Sequence, residues 1–166
     1  MRVGLRLRER SDSSAKKQTY IISIYPFVNQ SSKAIKGLSV SLDRLVYLHE
    51  PDKYGSERAH VFVYFLTIRN LSQITVTLKG RRWIITYEDE RCDIIDGDGI
   101  VGKEPTLATG ESFSYNSCHI SSCNCTAKGS FHGIDSLGHT IHTRIPEFKM
   151  NIPLDTIDGP VDLLPS

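Results

Sequence analysis

Apolar and polar residues alternate with a period of two in several segments of the chain, which is the pattern of half-buried β-strands. Trp83, Ile85 and Tyr87 share one face of such a segment, and Phe113 and Tyr115 share one face of another. Turn residues separate these segments at intervals of about 8 to 12 residues. Helical spacing with capping residues is absent from windows of about eleven residues or more. The sequence therefore predicts an all-β protein, an antiparallel β-sandwich of about seven or more strands, immunoglobulin-like in architecture.

One segment is apolar on both faces. Residues 61–69 read VFVYFLTIR, a β-branched and aromatic run that predicts a central strand covered on both sides. We expect helix to be confined to a turn or two. The large apolar residues at the centres of predicted strands should form the core: Val63, Phe65, Trp83, Phe113 and Ile145.

Composition limits the class of protein. The chain has 166 residues, 39% of them hydrophobic, and a net charge of +1, which suits one folded domain and excludes a disordered chain. No apolar run reaches the roughly 20 residues that cross a bilayer, and no secretory signal is predicted. We therefore expect a cytoplasmic protein without a membrane partner, and its four cysteines are expected to be free thiols.

Charge and turn composition predict three regions. Residues 1–36 carry eight basic and two acidic side chains, so residues 1–37 are predicted to be a basic, partly flexible extension. Its segment 20–28 is strand-like, but Pro26 restricts it to an edge strand or an extended arm. Such an arm could touch nucleic acid, but a solvated tail is favoured. Residues 38–153 form the predicted sandwich and residues 154–166 a C-terminal tail.

Three glycines form a nucleotide-binding motif by spacing alone. Gly97, Gly99 and Gly102 give a literal G-x-G-x-x-G, which in dinucleotide-binding folds joins a strand to a helix. Here Pro105 follows and no helical pattern does, so a dinucleotide site is not predicted. A glycine-shaped loop in a β protein is the favoured interpretation. A backbone anion-binding nest near Lys103 is an alternative.

An ordered series of short motifs between about Leu38 and Pro153 resembles the ApaG domain family. The residues of this series are Arg81, Trp83 and Ile85; Gly97, Gly99 and Gly102; Pro105, Leu107 and Gly110; Phe113, Tyr115 and Ser117; Gly129 and Phe131; and Ile145, Pro146 and Phe148. The resemblance implies a fibronectin-III-like or immunoglobulin-like sandwich, no catalytic residues, and a characteristic loop at the three glycines. It also implies two kinds of function: a protein-interaction module, as in F-box and polymerase-delta-interacting proteins, or a link to cobalt and magnesium homeostasis, as in bacteria.

The chain departs from that family pattern in two places. Ser117-Cys118 stands where the family has Ser-Gly, and residues 121–129 read SSCNCTAKG. Cys118, His119, Cys123 and Cys125 carry thiolate and imidazole groups, which are ligands of zinc and softer metals. The C-x-C spacing strains a single tetrahedron, so partly buried thiols are favoured and the metal site is the weaker alternative. Cys118 and His119 are also adjacent on a strand, so they point to opposite faces and do not form a catalytic pair.

The predicted function is binding without catalysis. We expect no enzyme activity and no cofactor, and we place the candidate binding loop at Gly97, Asp98, Gly99, Gly102 and Lys103, where a protein partner of unknown identity would bind. Nucleic acid is not expected as a partner, since Trp83 beside Arg81 and Arg82 is predicted to be core. A homodimer and a small-ligand or metal-responsive domain are the alternatives.

Overall fold

The computed structural model describes residues 31–55, 60–154 and 159–164. Within these ranges the chain forms ten strands and one four-residue helix, so the all-β prediction is confirmed. The elements are β1 (Lys33–Ala34), β2 (Leu38–His49), α1 (Pro51–Tyr54), β3 (His60–Asn70), β4 (Val76–Tyr87), β5 (Cys92–Asp98), β6 (Thr106–Leu107), β7 (Ser112–Ser121), β8 (Cys125–Asp135), β9 (Thr140–Met150) and β10 (Val161–Asp162).

The strands form two sheets. Sheet A has the order β1-β9-β8-β4-β5, and β6 pairs with β4 beside β5. Sheet B has the order β10-β2-β3-β7. Every pairing is antiparallel except that of β1 with β9. The inner faces of the two sheets enclose one hydrophobic core, and the molecule is an antiparallel β-sandwich.

The core uses only one face of β3. Phe62, Tyr64, Leu66 and Ile68 alternate along it and are buried against sheet A. Val63 and Phe65 lie on the opposite face, are half-buried and lie outside the core cluster, so their predicted core positions are wrong. Trp83 and Ile145 are buried as predicted, and Phe113 packs half-buried against the cluster. A strand in an open sandwich buries one face, because every second side chain points away from the partner sheet.

β4 is one long strand with an irregularity in the middle. It runs from Val76 to Tyr87 through Lys79 and Gly80. A bulge between Leu78 and Gly80 shifts its register against β8. A Cβ at Gly80 would lie 2.4 Å from Nε2 of His132, so the position accepts only glycine without rearrangement of that side chain. The bulge bends the strand at this point without ending it.

Two short strands lie outside the predicted sandwich boundaries of 38 and 153. β1 pairs with β9 and β10 pairs with β2, so each extends the same side of the sandwich. Leu163 and Leu164 pack partly against the core. The predicted basic segment up to residue 30, with its strand-like part at 20–28, lies outside the described residues. No helix in the described part of the chain has the length and apolar character needed to cross a membrane.

Candidate binding loop at the edge of sheet A

The three glycines lie at the end of β5 and just beyond it, where the chain leaves the edge of β4 before it pairs with β4 again as β6. β5 pairs with β4 from Cys92 to Asp98, and among the described residues it has no second neighbour, so it is an edge of sheet A. β6 then pairs with the same strand at Val76 and Thr77. The segment 97–103, which we call the glycine loop, therefore projects from the edge between two strands that share one partner. It precedes a strand, and the strand–turn–helix context of a dinucleotide site is absent from it.

Gly97 makes room for an arginine. Arg81 lies on the core face of β4 with Trp83, and its guanidinium Nη1 donates to the carbonyl oxygens of Asp98 at 3.1 Å and Gly99 at 2.9 Å. A Cβ at Gly97 would lie 2.8 Å from Cζ and Nη1 of Arg81. The arginine therefore holds the start of the glycine loop against the sheet, and glycine is the residue that lets it approach.

The tip of the loop is a tight turn. Ile100 and Lys103 form an isolated bridge and exchange two backbone hydrogen bonds, of 2.7 and 3.1 Å. Val101 and Gly102 between them have φ angles of +50° and +73°. Two successive positive φ values are the geometry of a type I′ turn, which suits the twist of a hairpin. Glycine adopts this conformation without strain, whereas a β-branched valine in it costs on the order of 1–3 kcal/mol.

Burial separates the anchor of the glycine loop from its tip. Ile100 is fully buried in the core cluster, whereas Val101 is 55% exposed. Gly99, at φ +62°, is buried, and a Cβ there would lie 2.7 Å from the carbonyl oxygen of Lys103. The loop is thus fixed at its base by Ile100 and Arg81 and presents Val101 to solvent.

The backbone amides of the loop are largely used within the chain. The N–H of Gly99 donates to the carbonyl of Lys79, and those of Ile100 and Lys103 donate to each other's carbonyls. An anion-binding nest needs successive free N–H groups that converge on one point. The hydrogen bonding speaks against the phosphate-nest alternative at this loop.

The two charged side chains of the predicted loop are at its surface. Asp98 and Lys103 are both exposed. Both contribute backbone hydrogen bonds to the loop: the carbonyl of Asp98 accepts from Arg81, and Lys103 pairs with Ile100. Their side chains can therefore be shortened without removing those bonds. Beside them, Lys79 Nζ and Glu104 Oε2 form an exposed ion pair at 2.5 Å.

β5 itself exposes apolar side chains. Ile94 is 64% and Ile95 44% exposed, on opposite faces of the strand. Ile95 faces a cavity of about 160 Å³ between the sheets, whose lining includes Arg81, Trp83 and His119. Together with Val101, these residues place three exposed apolar side chains along one sheet edge. Isolated exposed apolar residues are ordinary, but a row of them beside unpaired strand backbone is a typical binding surface.

The cysteine and histidine candidates are distributed over different surfaces. On β7, Cys118 is exposed on the outer face of sheet B and pairs with Val63 of β3, whereas His119 points to the other face. Its Nε2 lies 3.4 Å from the hydroxyl of Tyr87, which donates to Asp93 at 2.9 Å. Burial lowers the pKa of the His119 imidazole, which favours its neutral form.

The remaining two cysteines lie at the start of β8. Cys123 is in the turn before the strand, and Cys125 is buried. Burial raises the pKa of Cys125 to about 11, which favours the neutral thiol over the thiolate form that ligates metal. No group of three or more His, Cys, Asp or Glu side chains in the described ranges is arranged to hold a metal ion.

Trp83 is part of the core and not of a nucleic-acid surface. Its ring centroid lies 5.1 Å from that of Tyr64 and 6.1 Å from that of Phe148. Arg81 points into the sandwich edge, and Arg82 points to the outer face of sheet A, where it forms two hydrogen bonds with the carboxylate of Asp96. The two arginines therefore have separate roles, which their adjacency in sequence does not show.

Two features of the site were missed by sequence reasoning. β5 was not predicted as a strand, because CDIIDGD has adjacent apolar residues among acids instead of alternation. The role of Arg81 as the support of the loop was also missed. A charged residue in phase with Trp83 and Ile85 is a usable signal, since a cation on a core face requires acceptors, and glycine carbonyls at a turn supply them.

The described residues define a β-sandwich protein with a glycine-shaped hairpin at one sheet edge. The family model of the ApaG domain matches residues 51–135, and the chain belongs to that family. It is 35% identical over 105 residues to Protein ApaG of Yersinia pestis (strain Pestoides F), a match that covers 63% of this chain and 84% of the relative. Protein ApaG of Yersinia pseudotuberculosis serotype O:1b (strain IP 31758) is similar to the same extent.

Solved structures agree with this fold. The crystal structure of a Bordetella pertussis protein described as ApaA superposes with a TM-score of 0.63 at 30% identity, covering 75% of this chain and all of that one. A second X-ray structure, from a structural genomics programme, gives a TM-score of 0.62 at 23% identity, with 73% of this chain and 93% of that chain covered. The latter similarity supports the fold alone.

Proposed function

We propose that this ApaG-family protein is a non-enzymatic protein-interaction module that binds a partner protein through the glycine loop and the β5 edge. The observation that carries the proposal is the presence of three exposed apolar side chains at this edge: Val101, and Ile94 and Ile95 on the two faces of β5. A partner segment in extended conformation would pair with the backbone of β5 and cover these side chains, as in strand addition to a sheet edge.

The rigidity of the loop supports recognition. Ile100 and the two hydrogen bonds from Arg81 hold the base of the loop in one conformation, so binding requires little ordering of the loop. Asp98 and Lys103 add charges of opposite sign at the rim, which favour one orientation of a partner over others. The same features give no catalytic arrangement: the glycine loop has no nucleophile placed beside a base.

A matched pair of double variants tests the proposal. Asp98→Ala with Lys103→Ala should weaken partner binding at least about tenfold, while the melting temperature stays within a degree or two, because both backbone hydrogen bonds remain. The control is Asp52→Ala with Lys53→Ala, which removes one acid and one base from exposed positions of α1. It should leave binding unchanged.

A photo-crosslinking residue identifies the partner and locates the surface. Placed at Val101, it should give a discrete protein adduct in native lysate, and the adduct should be absent from the double variant. The same residue at Leu137, exposed in the turn between β8 and β9, should give none. Equal adducts from both positions, or unchanged binding by the Asp98 and Lys103 double variant, would contradict an interface at the glycine loop.

The metal-responsive alternative has less support, because the described residues bring no three candidate ligands together. Metal analysis of the reduced, untagged protein discriminates between the two functions. Stoichiometric zinc or cobalt would favour the alternative. We also propose that the protein acts in a reducing compartment such as the cytoplasm, since its four cysteines are free and two of them are exposed.

A further inference from the structure

A second surface, separate from the glycine loop, lies on the outer face of sheet A. A groove of about 540 Å³ crosses β4, β8 and β9 there. Its lining includes Arg82, Ile84, Lys128, Ser130, Arg144 and Pro146. The volume of this groove is in the range of specific ligand sites. Because the groove is open, it suits an extended ligand better than a compact ligand that needs to be enclosed.

Strand register sets the basic side chains in a row across this groove. Asp96, Arg82, Ser130 and Arg144 are successive partners across β5, β4, β8 and β9. Their neighbours Trp83, Phe131 and Ile145 are buried, so the row points outward. Neighbouring strands are about 4.8 Å apart, which places Arg82 and Arg144 on either side of the Ser130 hydroxyl.

The cations of the groove are unequally neutralised. Arg82 is paired with Asp96 at 2.7 and 2.8 Å, and Lys128 Nζ lies 3.5 Å from Glu147. Arg144 is exposed and, among the described residues, has no carboxylate or hydrogen-bond partner. The side chain of His142 lies beside it, with Nδ1 2.9 Å from the Ser32 hydroxyl. One guanidinium, that of Arg144, is therefore available for an external anion at the β9 end of the row.

Apolar surface borders the same row. Ile84 lines the groove and pairs in register with Ile94, which is largely exposed. The aromatic side chains on the strands of sheet A, Trp83, Tyr87, Phe131 and Phe148, all belong to the core or pack against it. A single-stranded nucleic acid is bound mainly by stacking of its bases on such rings. The groove offers cations and isoleucine surface but no Phe, Tyr or Trp among the described residues.

From this combination we propose that the groove binds an acidic, extended peptide segment of a partner protein. Carboxylates of the segment would accept hydrogen bonds from Arg144 and from the Ser130 hydroxyl, and an apolar side chain would cover Ile84. Charge complementarity selects the occupant: Arg82 and Lys128 already have carboxylate partners, Arg144 has none among the described residues, and charge-assisted hydrogen bonds to a carboxylate are the strong kind that arginine makes. The proposal does not depend on the glycine loop, which lies at the strand edge.

Fluorescence anisotropy with a defined probe tests the proposal. The probe is a fluorescein-labelled decapeptide of glutamates with one central leucine, titrated with the full chain at low ionic strength. We expect saturable binding that Arg144→Glu weakens at least about tenfold and Arg144→Gln weakens less. Arg69→Glu, at an exposed position of β3 in sheet B, is the matched control and should bind as the unaltered chain does. A glutamine version of the peptide should bind weakly.

Two results would overturn the proposal. Equal affinity of Arg144→Glu and the unaltered chain would assign the binding to another basic region, such as residues 1–36. Tighter binding of a ten-nucleotide oligo(dT) than of the peptide, with the same loss in Arg144→Glu, would make the groove a nucleic-acid site. The Asp98→Ala with Lys103→Ala variant should bind the probe normally, so failure here and failure of the loop proposal are separate results.

Discussion

β4 and β5 are hydrogen-bonded neighbours, yet one is the centre of the molecule and the other is its surface. Their register runs from Gly80 with Asp98 to Thr86 with Cys92. On β4, every second side chain from Trp83 onward enters the core, whereas the residues of β5 are exposed apart from half-buried Gly97. Sheet A is wider than sheet B, so β5 has a partner in its own sheet but lies at the border of the opposite one. Backbone pairing and side-chain burial thus stabilise a strand separately. A strand that is paired but not buried keeps an exposed surface on which a partner can bind.

The largest expected effect on stability comes from truncating, one at a time, two side chains that are register partners across this strand pair. Trp83 and Ile95 are register partners, but Trp83 is 5% and Ile95 44% exposed. Trp83→Ala should lower the free energy of unfolding by about 3–5 kcal/mol, because it removes a large buried ring and leaves a cavity. Ile95→Ala should cost about 1 kcal/mol or less. Urea denaturation measures both.

The control for that comparison is Ile85→Val, a small truncation at a buried position of β4, expected to cost about 0.5–1.5 kcal/mol. Equal losses from Trp83→Ala and Ile95→Ala would show that β5 is packed as closely as β4, and the difference between the two strands would not hold.

The next effect distinguishes two glycines of the loop. Both Gly99 and Gly102 have positive φ, so alanine is strained at either position. A Cβ at Gly99 would also meet the Lys103 carbonyl oxygen, whereas at Gly102 nothing lies within 4 Å. We expect Gly99→Ala to cost about 2–3 kcal/mol and Gly102→Ala about 1 kcal/mol. Thermal unfolding in parallel with the unaltered chain gives the order, and a larger cost for Gly102→Ala would mean that the loop has another shape.

The smallest effect concerns the ion pair that joins the two strands. Hydrogen bonds from Arg82 lower the pKa of Asp96. A carboxylate with a lower pKa in the folded than in the unfolded state stabilises the fold above its unfolded pKa of about 4 and loses this contribution as the pH falls through the folded value. Because both side chains are exposed, the contribution is at most about 1 kcal/mol.

The variant Asp96→Asn measures the contribution of this ion pair to the free energy of unfolding. The difference in unfolding free energy between this variant and the unaltered chain should be present near neutral pH and decrease as the pH falls below the unfolded pKa of about 4 and through the folded value. It should also shrink in about 1 M salt. A difference that does not change with pH would assign the effect to packing or to neutral hydrogen bonds instead of charge.

Sequence reasoning succeeded where the residues of a single segment were enough to predict its structure. The alternation around Trp83 predicted its burial, and the absence of a helical pattern after Pro105 correctly excluded the strand–turn–helix of a dinucleotide site. It failed at Val63 and Phe65, since a run that is apolar on both faces does not say which face meets the other sheet. It also failed at β5, where acids surround two adjacent isoleucines and the strand owes its existence to pairing with β4.

Local chemistry in the sequence thus determined the class of fold, the core position of Trp83 and the place where glycines shape a turn. These properties depend on the period of side chains along one strand and on the φ angles that one residue type allows. Only the tertiary structure decided that Arg81 supports the glycine loop, that β5 lies at an exposed edge, and that Arg82, Ser130 and Arg144 align on one face. Those relations join residues far apart in the chain, and they follow from strand order and register, which no single segment contains.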